Sequence, residues 1–288
     1  MEVKPGTLYV VGTPIGNLGD MTFRAVQTLQ TVDLIAAEDT RHTGKLLQHF
    51  QIQTPQISYY EHNQHRRIPE VLEKLRRGKA IAVVTDAGIP GISDPGYELV
   101  KACIEAGISV IPIPGASACL TALSVSGLET DRFAFEGFLP TKNKLRQQRL
   151  QALRSQSHTM ILYESPHRLR QTLQDLAETL GGDREIVLAR ELTKLHEEFW
   201  RGSLTEAVES YQNSEPKGEF TLVVAGKIQE TPQLSESAIK AELEELLRRG
   251  LTRSQASRQL AQNISLPRRQ IYQLALTLDE QDDGSDGG

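Results

Sequence analysis

The sequence predicts an α/β protein built from two α/β domains with a ligand cleft between them, followed by a small helical domain. Three observations lead there. Between Thr7 and Ile113, short continuous apolar runs alternate with amphipathic helical patterns, as expected of a mainly parallel sheet covered on both faces. Beyond Gly115 the spacing changes to a more mixed order of strands and helices. Three strand-like runs end in glycine- and proline-rich loops, the usual means by which α/β proteins turn backbone amides and carbonyls towards a small ligand.

In order, Thr7–Val11 reads as a strand, Thr22–Thr31 as a helix and Leu34–Ala37 as a strand. Thr43–Phe50 is helical, Ile57–Tyr59 a short strand and Ile68–Arg77 a helix; Ala80–Val84, Tyr97–Ala106 and Ser109–Ile113 follow as strand, helix and strand. Gly78 and Gly107 stand where helices should close. A small-residue helix, Ala116–Ser126, opens the second domain, whose strands are Phe133–Gly137, Thr159–Tyr163, Glu185–Arg190, Glu197–Arg201 and Phe220–Ala225. Between them lie helices at Lys142–Arg154, Pro166–Leu180 and Leu204–Asn213. After a polar linker, Gln229–Ser235, come three amphipathic segments, Glu236–Arg249, Arg253–Asn263 and Pro267–Leu278. Thr252 and Ser265 suit helix starts, and Pro267 suits a first helical position. The expected divisions are 1–114, 115–228, 235–278 and an acidic, disordered tail at 279–288. The helical domain, with an apparent turn at Asn263–Leu266, resembles a helix-turn-helix, and a plain helical cap fits equally well.

Apolar content of 39% and charged content of 24% are ordinary for a soluble globular chain. No run is long enough to span a membrane and no signal-peptide pattern opens the chain, so a cytoplasmic protein is expected. Cys103 and Cys119 lie in apolar helical surroundings with no partner at metal-ligand spacing, which favours buried free thiols over a disulfide or zinc site. The net charge of −5 resides in the tail, which carries Asp279, Glu280, Asp282, Asp283 and Asp286. Within the neutral remainder, Gly137 to Tyr163 holds Lys142, Lys144, Arg146, Arg149 and Arg154 and no acid. Such a stripe suits a polyanion, and a solvated helix face is the plain alternative.

The central loop, within VVTDAGIPGISDPG (Val83–Gly96), packs three glycines and two prolines into the ten residues after Asp86. Glycine lets the main chain approach a ligand and proline fixes the loop shape; Asp86 and Asp94 supply carboxylates near its two ends. The first loop, GTPIGNLGD (Gly12–Asp20), is glycine-rich, but it is not the dinucleotide pattern, and Pro14 removes an amide that a pyrophosphate would use. There is no Walker lysine either. The third loop, PIPGASA (Pro112–Ala118), places Ser117 at a helix start. Loops without phosphate signatures point to a nucleoside-bearing ligand with a carboxylate and little other negative charge, a description that S-adenosylmethionine meets.

Eight motifs in order make that specific: LYVVGTPIGNLGD, AEDTR (Ala37–Arg41), VVTDAGIPGISDPG, PIPGASA, FEGFLP (Phe135–Pro140), YESPHR (Tyr163–Arg168), ARELTKLHEEFWRG (Ala189–Gly202) and GEFTLVV (Gly218–Val224). On these the chain resembles, nearly end to end, the tetrapyrrole methylase superfamily of S-adenosylmethionine-dependent methyltransferases. Within it, the chain is similar to the branch that 2′-O-methylates a cytidine of small-subunit (16S) rRNA. It departs at single positions such as Ile89. The resemblance implies the two-domain fold of that superfamily and a role in ribosome maturation and decoding. It implies S-adenosylmethionine in the inter-domain cleft, against Pro14, Asp86, Ala87, Gly88, Gly91, Ser117 and Ala118, with Tyr163, Glu164 and Gly218–Phe220 closing the far side. Asp86 would accept from a ribose hydroxyl or the methionine amino group.

A ribose hydroxyl is far from ionised at neutral pH, so a base or a cation that stabilises the alkoxide should assist. Glu38, Asp39 and Arg41, Glu61 and Asn63, and Arg190 and Glu191 remain open for that role. His62 and His65 read as surface residues, and no metal is expected. Lys142, Lys144, Arg146 and Arg149, with Arg168 as a second site, are the expected phosphate contacts. The resemblance further implies the 30S ribosomal subunit as partner, a homodimer, and no membrane. Two other readings stay open: a methyltransferase for a small tetrapyrrole or other non-RNA acceptor, and a non-catalytic RNA-binding protein of the same fold.

Overall fold

The computed structural model of the chain describes residues 2–227, 235–261 and 266–278. Most of the linker Gln229–Ser235, the turn at Asn263–Ser265 with the helix start at Ser265, and the tail Asp279–Gly288 lie outside the described residues. The described residues form two compact units, one extending to Lys227 and holding both sheets, the other made of the last three helices.

The first lobe runs β1 (Thr7–Val11), α1 (Phe23–Thr31), β2 (Leu34–Ala37), α2 (Thr40–His49), β3 (Gln56–Ser58), α3 (Gln64–Arg76), β4 (Ile81–Val84), α4 (Tyr97–Glu105) and β5 (Ser109–Ile113). Its strands are parallel in the order β3-β2-β4-β1-β5. Successive residues of each central strand enter opposite cores, which is why these strands read as unbroken apolar runs. Tyr9, Val11, Ala82 and Val84 pack with Ala25 and Leu29 of α1 on one face. Leu8, Ile81 and Val83 pack with Val71 and Leu75 of α3 and Leu99 and Cys103 of α4 on the other.

Neighbouring strands β1 and β4 send their chains opposite ways, β1 to β2 on one side and β4 to β5 on the other. A sheet opens a crevice at the carboxyl ends of strands that part in this manner, and ligands bind there.

From β5 the chain passes through the third loop into α5 (Ala118–Ser124), which packs on the second sheet. There follow β6 (Phe133–Gly137), α6 (Asn143–Leu153), β7 (Thr159–Glu164), α7 (Pro166–Leu180), β8 (Glu185–Arg190), β9 (Glu198–Ser203), α8 (Leu204–Gln212) and β10 (Phe220–Val224). The order is β6-β7-β10-β8-β9, and β6–β7 is its one parallel pair. One face is covered by α6, α7 and α8 through Leu150, Leu173, Leu176 and Leu204. The other meets α5 and Ile15 of the first loop, so the first loop is packed into the core of the second sheet.

Several starts differ from expectation, among them α5, which begins at Ala118 rather than Ala116. Helix α2 begins at Thr40 rather than Thr43, because the Asp39 carboxylate accepts from the Arg41 N–H at 2.8 Å and caps it. Helix α3 begins at Gln64 rather than Ile68 and runs through Pro69. In the C-terminal unit, α9 (Glu236–Arg248), α10 (Arg253–Leu260) and α11 (Arg268–Thr277) enclose Ile239, Leu243, Ala256, Leu260 and Ile271. Thr252 caps α10 reciprocally with Gln255, as expected, whereas Pro267 is extended and precedes the first turn of α11 rather than sitting inside it. Both cysteines are free and buried, and burial pushes their thiols up to about 11. Among the described residues, no helix is long and apolar enough to cross a membrane.

Candidate active site

The three glycine-rich loops form one platform above the β1–β4 crevice. Thr13 and Gly88 exchange backbone hydrogen bonds, 2.9 Å from Thr13 N–H to Gly88 O and 3.2 Å in return, and the Thr13 hydroxyl donates to Thr85 O at 3.1 Å. Gly88 takes φ +81°, a left-handed conformation that glycine adopts without penalty. The third loop touches the first backbone to backbone: a Cβ on Gly115 would lie 2.7 Å from Gly12 Cα, and one on Gly12 would lie 2.8 Å from Gly115 Cα. No larger residue fits either position without moving a loop.

Between this platform and the inner face of the second sheet is a cavity of about 380 Å³, within the range of small-ligand sites. Ile15 lines it from the first loop, Ala87, Gly88 and Asp94 from the central loop, Ser117 and Ala118 from the third, and Tyr163, Leu192 and Phe220 from the facing wall. The Tyr163 hydroxyl accepts from the Cys119 N–H at 3.2 Å, and its ring lies edge-on to Phe135 and Phe138, 4.9 and 5.7 Å between centroids. Burial pushes the Tyr163 phenol up to about 12, so it is neutral. The lining includes Asp94 and Glu219 but no Lys or Arg among the described residues. Backbone amides, apolar walls and carboxyl groups fit a cationic sulfonium nucleoside.

Five expected cofactor residues, Ala87, Gly88, Ser117, Ala118 and Glu164, line this cavity. Pro14 and Asp86 line an adjoining cavity of about 480 Å³, and Gly91 a third of about 600 Å³. Glu164 is 3% exposed, and both carboxylate oxygens are engaged within the lobe. One accepts from Ser165 N–H (2.9 Å) and faces Arg168 (3.5 Å); the other accepts from the Thr172 hydroxyl (2.6 Å). Its carboxylate therefore holds the cavity floor.

Glu38, Asp39, Asp86 and Asp94 come together where the cavities meet. Glu38 accepts from the Asp86 N–H and Asp86 accepts from the Asp39 N–H, each at 3.2 Å. Burial, then the charges of Glu38 and Asp86, push Asp94 up to about 7. Burial likewise raises Glu38, against the Asp86 N–H that lowers it. The sequence offers Asp94 only as a carboxylate near one end of the loop, because an acid between loop glycines and prolines carries no signal of burial.

Asn63 is displaced from the catalytic candidates. It is 9% exposed, accepts from Tyr60 N–H at 2.9 Å and donates to Ser58 O at 3.2 Å, so it pins the turn before α3. Asp39 grips the exposed Arg41 with two bonds, 3.1 and 2.7 Å, which hold its carboxyl well below the usual range. Glu61 lines the third cavity. Arg190 donates to Lys217 O at 2.7 Å and pairs with Glu198 at 3.0 Å. Glu191, at φ +51°, accepts from Glu219 N–H and Lys194 Nζ, each at 2.9 Å.

The basic stripe divides. Lys142 and Lys144 are exposed, with no ion pair among the described residues. Arg146 is corrected: it is 7% exposed and donates to Asp175 at 2.6 Å and to Thr172 at 2.8 Å, out of reach of a phosphate. Arg149 is partly exposed and paired with Glu136. Arg168 donates to Leu139 O at 2.5 Å and faces Glu164, so it too is engaged within the lobe.

Residues 7–208 match the family model described as Tetrapyrrole (Corrin/Porphyrin) Methylases. A protein of Synechocystis sp. named ribosomal RNA small subunit methyltransferase I is 64% identical over 95% of this chain and 99% of its own length. A protein of the same name from Bacillus subtilis is 47% identical, over 93% of each. Among solved structures, a uroporphyrin-III C-methyltransferase from Thermus thermophilus, complexed with S-adenosylhomocysteine, shares the fold. Its TM-score is 0.55 at 16% identity, covering 76% of this chain and 96% of that one.

Proposed function

The chain belongs to the tetrapyrrole methylase family, on the branch of the ribosomal RNA small subunit methyltransferases, and from that premise we propose that it methylates the ribose 2′-oxygen of a cytidine in small-subunit rRNA. S-adenosylmethionine is the methyl donor. The observation that carries the reading is the end-to-end likeness to that branch in a chain whose three strand-end loops and second sheet enclose one ligand-sized cavity. The finer reading is a cytoplasmic homodimer acting on the 30S subunit, in ribosome maturation and decoding.

The donor supplies an electrophilic methyl on a good leaving group, so the protein's task is positioning and disposal of one proton. Backbone groups at Ala87, Gly88 and Ala118 orient the nucleoside, and the apolar wall of Ile15, Leu192 and Phe220 excludes water. Asp94, which lines this cavity where Asp86 does not, accepts from the ammonium or a ribose hydroxyl. Methyl transfer from radiolabelled donor to 30S subunits, naked rRNA or a tetrapyrrole precursor tests the function. Label in the precursor and none in RNA would overturn it.

Because Asp94 is raised to about 7, it is protonated below neutrality and anionic above. A cationic ligand is held by the anion, so donor affinity should rise from about pH 6 to about pH 8. Calorimetric titration at both ends should show that rise in the wild type and a flat profile in Asp94→Asn. An unchanged slope would remove Asp94 from the donor site.

Of the expected phosphate contacts, Lys142 and Lys144 are the ones that are exposed and without an ion pair among the described residues. Reversing both to Glu should weaken rRNA binding and lower the salt slope of the affinity by about 2, roughly one per phosphate contact removed. Filter binding across a salt series checks this; an unaltered slope returns both to a solvated helix face.

A further inference from the structure

Three cavities meet along the central loop, and two of them adjoin the donor cleft. The first adjoining cavity, about 480 Å³, shares Ile15, Ala87 and Glu219 with that cleft. The second, about 600 Å³, shares Ser93 and Asp94. Each is a route to the donor cleft for a target nucleotide, which arrives with negative phosphodiesters on both sides. The second is lined by Glu38, Glu61, Asp94 and Glu98, with His62 as its one basic group among the described residues; so acidic a lining disfavours such a chain. The first carries Lys45, His42 and Lys194. Lys45 and His42 are exposed on α2, and Lys45 makes no ion pair among the described residues.

From the Proposed function, we infer that the cavity between Pro14, Lys45 and Asp86 receives the target ribonucleotide, with a flanking phosphate at Lys45 and His42 and the 2′-hydroxyl at the Asp86 carboxylate. Among the described residues two carboxylates line it. Glu219 is held by Lys194 at 2.9 Å, which leaves Asp86 as the proton acceptor. Among the described residues only one Asp86 oxygen is engaged, by the Asp39 N–H at 3.2 Å, so the other can face the substrate. The new bond joins the 2′-oxygen to the methyl carbon as the carbon–sulfur bond breaks. The sulfur keeps that electron pair and leaves as a neutral thioether. The hydroxyl proton passes to the Asp86 carboxylate and then to solvent. Lys194 covers the first loop at Gly16 and shapes the mouth, its charge offset by Glu191 and Glu219.

The experiment measures steady-state methylation of 30S subunits together with calorimetric donor affinity, on full-length variants. Lys45→Glu should raise the KM for subunits roughly tenfold, with kcat and donor Kd within about twofold. Asp86→Asn keeps an oxygen for the Asp39 N–H; it should lower kcat about a hundredfold while donor Kd stays within about twofold. Glu98→Lys, which adds a cation to the acidic cavity, should leave KM within about twofold. The assignment is overturned if Lys45→Glu leaves KM unchanged, if Glu98→Lys lowers it, or if Asp86→Asn weakens donor binding in proportion to its loss of rate. A wild-type enzyme inactive on subunits and naked rRNA would overturn the Proposed function as well, whereas an active wild type with any of those three outcomes overturns the subsite alone.

Discussion

Replacing Arg146 by alanine should destabilise the protein by about 3–5 kcal/mol, the usual consequence of removing one partner from a buried ion pair. The side chain lies between α6 and α7, where its Nε meets Asp175 Oδ2 at 2.6 Å and its Nη2 meets the Thr172 hydroxyl at 2.8 Å. Thr172 in turn donates to Glu164 at 2.6 Å, and Gln171 donates to the other Asp175 oxygen at 2.8 Å. Alanine would leave Asp175 buried and short of a charge, and would remove the clamp between two helices that cover one face of the second sheet. For a unit of this size the melting temperature should fall by about 10 °C. Lysine at the same position keeps the charge but not the planar fork, so it should recover part of the loss. Thermal unfolding followed by circular dichroism decides it. A fall of less than about 2 °C would put Arg146 on the surface, and would return it to the phosphate contacts from which its burial excludes it.

That residue also shows what the sequence could and could not display. Read as composition, Gly137 to Tyr163 holds five cations and no acid, yet the acids that matter lie outside that window. Glu136 precedes it and Asp175 follows on the next helix. Periodicity held the better signal, since Arg146, Leu150 and Leu153 share one helical stripe and all three are buried. Asn63 is a similar case: an Asn just before a helix is first of all a cap or turn residue.

The parallel first sheet was legible because both faces of β1 and β4 are buried, and that leaves apolar runs in the chain. The donor cleft was legible through its glycines and prolines. The division of one loop among three cavities was not. Whether Asp86 or Asp94 faces the cleft depends on how the loop turns at Gly88 and at Ser93, the latter at φ +61°, and no spacing rule encodes that.

One added methyl group should have an equally large effect on the site. Gly115 has no left-handed φ, so alanine is acceptable to its backbone, and the strain would come from contact alone. The added Cβ would meet Gly12 Cα and carbonyl carbon at 2.7 Å, atoms of a main chain that cannot swing aside. The first and third loops must therefore part by something approaching an ångström, and both carry donor-cleft residues, Ile15 on one and Ser117 and Ala118 on the other. A displacement of that size in a positioning element reduces catalysis by about a hundredfold, while overpacking of this kind costs about 1–3 kcal/mol of stability. Gly115→Ala should thus remain folded yet transfer methyl groups about a hundredfold more slowly, with a matching loss of donor affinity. Gly12→Ala should do the same, because its Cβ would press on Gly115 from the opposite side. The two changes need the same gap, so the double variant should lose little more than either single one, a non-additivity expected of residues in contact. Calorimetry and initial rates on the three variants test the point. Full donor affinity in Gly115→Ala would show that the loops flex independently and that the platform is not what positions the donor.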